Sequence, residues 1–260
     1  MRYLRLFWAL IVISVQRELA HRANLIFQAL LTATGFAAGL ATLGIVYSQT
    51  DTLAGWRFEE TLVLLGVFYL MSGVLEAFIS PNLAWFGGKL RQGELDDLLL
   101  QPVSSVFLAS LGTCQPWALA QVALGAMVTA VGVAGAGGVP SAVQLAMFLL
   151  LIAAGVILTW ASRVLLASLA FWAPHAELDV LYSALWQFGR YPLDVYHPAI
   201  RALLTYLLPV AFITIMPARA LTRGVPLWLA GAGLAAGLGG VVLVLAVWRA
   251  GLRRYTSATS

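Results

Sequence analysis

Sixty-five consecutive residues, Leu98 through Ser162, carry no charged side chain. A water-facing fold does not accommodate such a run, because soluble domains devote about a quarter of their residues to Asp, Glu, Lys and Arg. The rest of the chain follows the same pattern: of 260 residues, 61% are hydrophobic and 10% charged. That balance excludes intrinsic disorder, which requires polar, highly charged sequence. It directs the chain into a bilayer, where backbone polar groups must be satisfied internally and a helix of ~20 apolar residues spans the hydrocarbon. A single cysteine, Cys114, excludes an internal disulfide framework and a cysteine-built zinc site.

The long run is too long for one helix, and Gly135, Gly137, Gly138 and Pro140 divide it. Reading the apolar stretches in order gives spans at about Leu25–Tyr47, Thr61–Gly88 with one charge at Glu76, Pro116–Val133 and Val143–Ala170. A fifth begins near Val180 and runs toward Tyr191-Pro192, and a sixth covers about Val225–Trp248. Two apolar stretches fit less simply. Residues 1–23 hold only ten uninterrupted apolar positions, with Leu4, Phe7, Trp8, Ile11, Val12 and Val15 on one helical face. This predicts an interfacial helix lying on the bilayer. Residues 190–218 contain Pro192, Pro198, Pro209 and Pro217. They predict a broken, partly re-entrant hairpin, which is allowed at that depth only when it is buried in protein or lines a cavity.

Basic residues set the orientation. With six spans and the N-terminus inside, Arg2, Arg5, Arg17, Arg22, Lys89, Arg91, Arg249, Arg253 and Arg254 face the cytoplasm. These nine outweigh Arg57, Arg190, Arg201, Arg219 and Arg223 outside, so both termini are expected to be cytoplasmic. No basic stripe alternates with aromatics, which argues against a nucleic-acid partner. Trp172, Trp186, Trp228 and Trp248 fall near span ends, as an interfacial belt would place them.

The segment after the second span, within residues 86–113, concentrates charge: Lys89-Leu-Arg91-Gln-Gly93-Glu94-Leu95-Asp96-Asp97-Leu98-Leu99-Leu-Gln101-Pro102. Asp96 and Asp97 suit the first turn of a helix, whose dipole favours acids there. Leu95, Leu98 and Leu99 would share one face, making a short amphipathic knob for a cytosolic partner. The same residues also describe an ordinary solvated loop.

Gly93, Leu95, Asp96, Leu98, Leu99 and Pro102 match the G-x-L-D-x-L-L-x-x-P pattern of ABC-2 type exporter permeases. Arg190-Tyr191-Pro192 with Tyr196, followed by Leu208-Pro209-Val-Ala-Phe-Ile213 and Met216-Pro-Ala218, resembles a second pattern, found in an uncharacterised ABC-2 permease subfamily. The resemblance implies an all-α, type V exporter-like fold of six transmembrane helices. It implies an N-terminal elbow helix, a cytoplasmic coupling helix over Gly93–Pro102 that docks on an ATP-binding cassette subunit, and an outer re-entrant hairpin before the last span. It also implies inner (plasma) membrane localisation and pairing with a second, different permease chain, giving a heterodimer embedded among lipids.

A P-loop requires G-x-x-x-x-G-K-[ST]. At Gly88-Lys89 the next residue is Leu90, and Leu83 occupies the first glycine position. ATP and Mg are therefore expected on a separate subunit, with no cofactor or metal bound by this chain. His175, Glu177 and Asp179 alone are too few for a metal site. Glu76 and Arg163 lie inside apolar runs and are expected to face the bundle interior, as a pair or with Arg163 snorkelling to the inner headgroups. Gly35-x-x-x-Gly39 and Gly233-x-x-x-Gly237 have the spacing of close helix contacts. Spans that are apolar all round favour an amphiphilic or hydrophobic cargo. The rival reading is a secondary transporter driven by an ion gradient, which predicts matching broken helices in both halves.

Overall fold

The computed structural model describes residues 2–19 and 22–255. The join between the N-terminal helix and the first span, at Ala20 and His21, lies outside the described residues. Helices dominate: α1 (Arg2–Leu19), α2 (Arg22–Tyr47), α3 (Phe58–Val74), α4 (Ser80–Leu83), α5 (Phe86–Arg91), α6 (Glu94–Leu99) and α7 (Ser105–Leu111) form the first half. Next come α8 (Leu119–Gly135), α9 (Ala142–Ser168), α10 (Leu178–Trp186), α11 (Pro198–Tyr206), α12 (Met216–Thr222) and α13 (Trp228–Leu252). Among the described residues the only β feature is an isolated bridge between Leu53 and Trp56.

Among the described residues, five helices are long and apolar enough to cross a membrane: Leu25–Tyr47, Phe58–Arg91, Pro116–Gly135, Ala142–Phe171 and Trp228–Leu252. The expected fifth span is not among them. Its helix α10 has nine residues and passes into a 3-10 turn, Gln187–Arg190. At 1.5 Å per residue, the helix itself covers only ~14 Å of a ~30 Å core. Apolar composition marked this stretch, but Gly189, Pro192, Pro198 and Pro209 prevent one continuous helix. The crossing is assembled from pieces instead. Asp179 at its start meets Arg163 near the end of α9, and Arg223 at its finish meets Glu60 in the first turn of α3. Between them, α11 meets the following helix, Ala211–Thr222, at a bend of 76°.

These contacts define two ends of the bundle. The basal end carries α1, α5, α6 and the C-terminal end of α13; the apical end carries Glu60, Arg223 and the loop before α9. Helix α1 packs Phe7 on Phe78 at 5.7 Å and Tyr3 on Phe107 at 5.3 Å, while Ser14 Oγ accepts from the Cys114 amide at 3.1 Å. Trp8 on its opposite face is exposed.

Helix α3 is the buried centre, most of its length covered by neighbours, whereas α2 is covered over little of its length. It continues through a π-helical stretch, Leu75–Ile79, into α4. The tightest seam joins α3 to α8. Added Cβ atoms at Gly66 and Gly73 would stand 2.5 and 2.6 Å from the α8 backbone; at Gly125 the α3 backbone would be closer still, and at Gly132 a Val63 methyl would lie 2.8 Å away. Without lipid-driven hydrophobic attraction between helices, such close backbone approach supplies the packing energy. The Gly35 and Gly39 pair plays no such part: nothing comes within 4 Å of a Cβ at Gly35, and Gly39 meets only the Tyr69 hydroxyl and Leu65 at ordinary distance. Gly233 and Gly237 seat α13 against Leu151, Ala154 and Ile157 of α9.

Gly125→Val is therefore expected to destabilise the detergent-solubilised protein by ~1–3 kcal/mol or more, since backbone on the facing helix cannot move aside. Gly35→Ala should leave the melting temperature unchanged, and thermal unfolding of the two variants checks the contrast.

Candidate functional site

At the basal end, α3 stops being a span at Trp85, whose backbone takes the left-handed conformation (φ 57°) and redirects the chain into α5. Asn82 fixes that corner. Its Nδ2 donates to the carbonyls of Phe78 (2.8 Å) and Thr113 (2.9 Å), and its Oδ1 accepts from the Thr113 amide (2.7 Å) and hydroxyl (2.8 Å). All four hydrogen-bonding sites of the amide are used. Lys89 Nζ adds a bond to the Asn82 carbonyl at 3.0 Å.

Helix α6 follows Gly93, which is also left-handed (φ 77°) and starts a new helix just after α5 ends. Glu94, Asp96 and Asp97 occupy its first turn, as expected for the dipole. Leu95 is buried and Leu98 packs against the core. Leu99 departs from the expected face: it is exposed, together with Leu100 at 84%. The 100° step between neighbours carries Leu99 past the buried edge. Glu94, Asp97, Gln101 and Pro102 are exposed around these leucines. The platform made by α5, α6 and α7 encloses a 390 Å³ cavity bordered by Leu10, Lys89, Glu94, Leu98 and Gln101.

This platform is bonded to the spans. Arg91 Nη1 donates to the Pro174 carbonyl in the loop after α9. Phe86 lies 5.7 Å from Phe171 and 5.5 Å from Trp248, and Trp248 Nε1 donates to Ser105 Oγ at 3.1 Å. Tyr255 stands beside Asp96, and burial followed by that carboxylate raises its phenol above the ordinary value. Trp186 is likewise internal, its Nε1 donating to Ser72 Oγ at 2.8 Å. Trp186 and Trp248 are therefore buried hydrogen-bonded residues rather than members of an interfacial belt; Trp172 and Trp228 are exposed.

Arg163 is 2% exposed and forms its ion pair with Asp179, not with Glu76. Because α10 folds back on the end of α9, it brings Asp179 to the guanidinium, and the Tyr182 ring lies 4.9 Å beneath it. Glu76 sits on the π-helical turn within electrostatic range of Arg163, and Ser80 Oγ is 3.5 Å from its Oε1. Asp179 is thus engaged by Arg163, and among the described residues no three His, Cys, Asp or Glu groups converge as metal ligands. A 140 Å³ cavity opens beside the pair, bordered by Arg91, His175 and Glu177.

At the apical end, Arg223 grips Glu60 with Nε at 2.7 Å from Oε1 and Nη2 at 2.5 Å from Oε2, and donates to the Gly55 carbonyl at 2.6 Å. Glu60 also accepts from the Arg57 amide at 2.9 Å, capping α3. In the broken crossing, the Arg190 guanidinium lies over Phe68 and Tyr69, and Tyr191 packs against the core. Pro192 is buried. Tyr196 packs edge-on to Phe188 at 5.2 Å and donates to the Phe188 carbonyl at 3.0 Å. The Pro209 carbonyl accepts from the Phe212 and Ile213 amides, starting the π-helical stretch Ala211–Ile215.

Among the described residues, five long apolar helices, with a bent helix pair that would make a sixth, mark a polytopic membrane protein. A family profile described as ABC-2 family transporter protein matches residues 35–259, and the chain belongs to that family. It is accordingly a permease component of an ABC transporter, a membrane subunit that associates with ABC ATPase subunits. No curated protein and no solved structure shows significant similarity to it.

Two outcomes test the geometry. Asp179→Ala leaves the Arg163 charge buried without its partner and should cost ~3–5 kcal/mol, whereas Arg163→Met with Asp179→Leu should recover most of it, as read by thermal unfolding. Burial, and then the nearby Glu18 carboxylate, push the Cys114 thiol up to about 11. At pH 8 roughly one molecule in a thousand carries the reactive thiolate. Maleimide labelling of folded protein should therefore be orders of magnitude slower than after denaturation.

Proposed function

We propose that this chain is one half of the membrane domain of an ATP-driven exporter, with the basal end cytoplasmic and a different permease chain as its partner. ATP would be bound and hydrolysed, with Mg, on separate cassette subunits. Helix α1 serves as the elbow at the inner surface and α6 as the coupling helix. The observation that carries this reading is the construction of α6. Leu95 and Leu98 sink into the body, while Leu99 and Leu100 stand exposed between Glu94 and Asp97 on one side and Gln101 on the other. Such a helix transmits force: its inner face is fixed to the spans and its outer face is free to be gripped. Lys89, Arg91, Arg249, Arg253 and Arg254 at the same end support the cytoplasmic assignment.

Closure of the ATPase subunits would move α6, and the Arg91, Phe86 and Trp248 contacts would pass that movement to the ends of α9 and α13. ATP shifts the balance of inward- and outward-facing states only as far as its contacts differ between them. The apolar faces of α2, α8 and α13 suit an amphiphilic or hydrophobic cargo. Among the described residues the sharply bent helix pair, Pro198–Tyr206 with Ala211–Thr222, lies in the second half, which supports an ATP-driven machine over an ion-driven carrier built from two matching broken halves.

In a membrane extract containing the ATPase subunits, Leu100→Asp combined with Asp97→Arg should abolish co-purification of ATP-hydrolysing activity with the tagged chain, with no change in its melting temperature. Retention of that activity at the wild-type level would remove α6 from its role.

A further inference from the structure

Arg163 and Arg223 each have a carboxylate in bonding contact; the arginines of the broken crossing do not share that provision. Asp194 alone serves two of them, with Oδ1 3.5 Å from Arg201 Nη1 and Oδ2 3.5 Å from Arg219 Nη2. Arg190 makes no ion pair among the described residues. Its guanidinium lies 5.4 Å over the Phe68 ring and 6.0 Å over Tyr69, and its Nε is buried with no acceptor. Arg219 repeats the arrangement, 5.2 Å over Trp56 with a buried Nε that donates to nothing. Two cations therefore share one carboxylate, and the third, Arg190, has none.

The depth of Arg190 makes its position costly. Gly189, adjacent to Arg190, packs on Phe68. Phe68 lies ten residues into α3, ~15 Å along the helix and half-way through the hydrocarbon. A cation held there without a counter-ion marks a ligand path rather than a structural contact. Aromatic faces lessen the cost and fix the guanidinium planes, but they leave the N–H edges open. Planar guanidinium edges match phosphate, sulfonate and carboxylate oxygens in pairs. Alongside, α11 exposes Leu203 and Tyr206, and Leu207 follows at its end.

We propose that Arg190 and Arg219, with Arg201 at the rim, bind the anionic headgroup of an amphiphile whose tail lies along the exposed side chains of α11. The cargo of the exporter described above is then an anionic amphiphile, an assignment that rests on that reading; the anion site stands on this geometry alone. A carboxylate of the partner permease is the competing counter-ion. It is disfavoured because Arg190 and Arg219 are drawn against rings of their own chain rather than turned toward a neighbour.

The test uses the full chain in phosphatidylcholine nanodiscs, titrated with a dansyl-labelled alkyl phosphate and with the alkyl trimethylammonium of equal length. The phosphate should bind at least ~10-fold more tightly, and Arg190→Gln and Arg219→Gln should each weaken it by ~10-fold or more, the range of a charged hydrogen bond. Arg190→Lys should recover only part of the affinity lost in Arg190→Gln, and Arg253→Gln should retain all of it. Phosphatidylglycerol added to the discs separates the two sources of the headgroup: displacement of the probe identifies a membrane lipid, and no displacement a dedicated amphiphile, both through the same site. Equal affinity for the two probes overturns the proposal. So does unchanged phosphate binding by Arg190→Gln, whether or not that variant separates the permease pair. If the probe preference holds while ATPase association fails, the anion site survives and the exporter reading falls. If ATPase association holds while the two probes bind equally, the exporter reading survives and the anion site falls.

Discussion

The backbone-close seam between α3 and α8 is the contact on which the remaining architecture depends. Glycines at 66, 73 and 125 let two helices approach until main chain meets main chain, with Gly132 admitting a Val63 methyl. That contact makes α3 the buried axis of a bundle whose other long helices present much of their surface outward. Both ends of the axis are then secured by polar groups that could not be left unpaired. Glu60 at the apical start is capped and clamped by Arg223, and Asn82 at the basal end has every donor and acceptor engaged. A post fixed at both ends conducts displacement, which is what a permease driven from outside the membrane requires.

Charge inside the bundle follows a rule of proximity between distant segments. Arg163 and Arg223 are neutralised by residues 16 positions after and 163 positions before them in the chain. Each ion pair sits where the assembled fifth crossing begins or ends, so the pairs define that crossing more than its helices do. Removing one partner of a buried pair costs more than the pair contributes, because the remaining charge has no water to turn to. The short helices between Asp179 and Arg223 are held at both ends by this penalty while their middle stays free of helical continuity.

Much of the architecture was legible from composition. The first span coincides with the observed Leu25–Tyr47, and the third, fourth and sixth differ at their ends by a few residues, because a bilayer imposes one length on any apolar helix. What composition does not encode is continuity. Val180–Pro192 begins with apolar residues but contains Gln187, Gly189 and Arg190 and ends in a proline, and its helix stops after nine residues and gives way to a turn. Pairing was legible only in part. Arg163 was identifiable as an interior charge from its apolar flanks, whereas Asp179 belonged by sequence to a polar loop, and only the return of α10 over α9 unites them. The glycine seam escaped because its spacing is seven, two turns of helix, while the four-residue motif at Gly35 and Gly39 meets only side chains at ordinary distance and no facing backbone. In the α6 segment the acidic first turn was legible, but the exposure of Leu99 and Leu100 depended on the exact start that Gly93 sets.

The two π-helical stretches connect these observations. One, Leu75–Ile79, carries Glu76 toward Arg163; the other, Ala211–Ile215, follows Pro209 and leads into α12, which holds Arg219. A π turn widens the helix by one residue and shifts the register of everything after it, so relaxing it to α rotates the following side chains by about 100°. In α3 that rotation would turn Asn82 away from Thr113 and loosen the platform; before α12 it would turn Arg219 away from Trp56 and Asp194. Basal and apical sites are thus each one backbone step from a second arrangement, and α3 touches both. Coupling across the membrane in such a protein needs no long lever. Two local registers whose alternatives were linked through one packed helix would suffice, and the seam at Gly66 and Gly125 is where that helix is held.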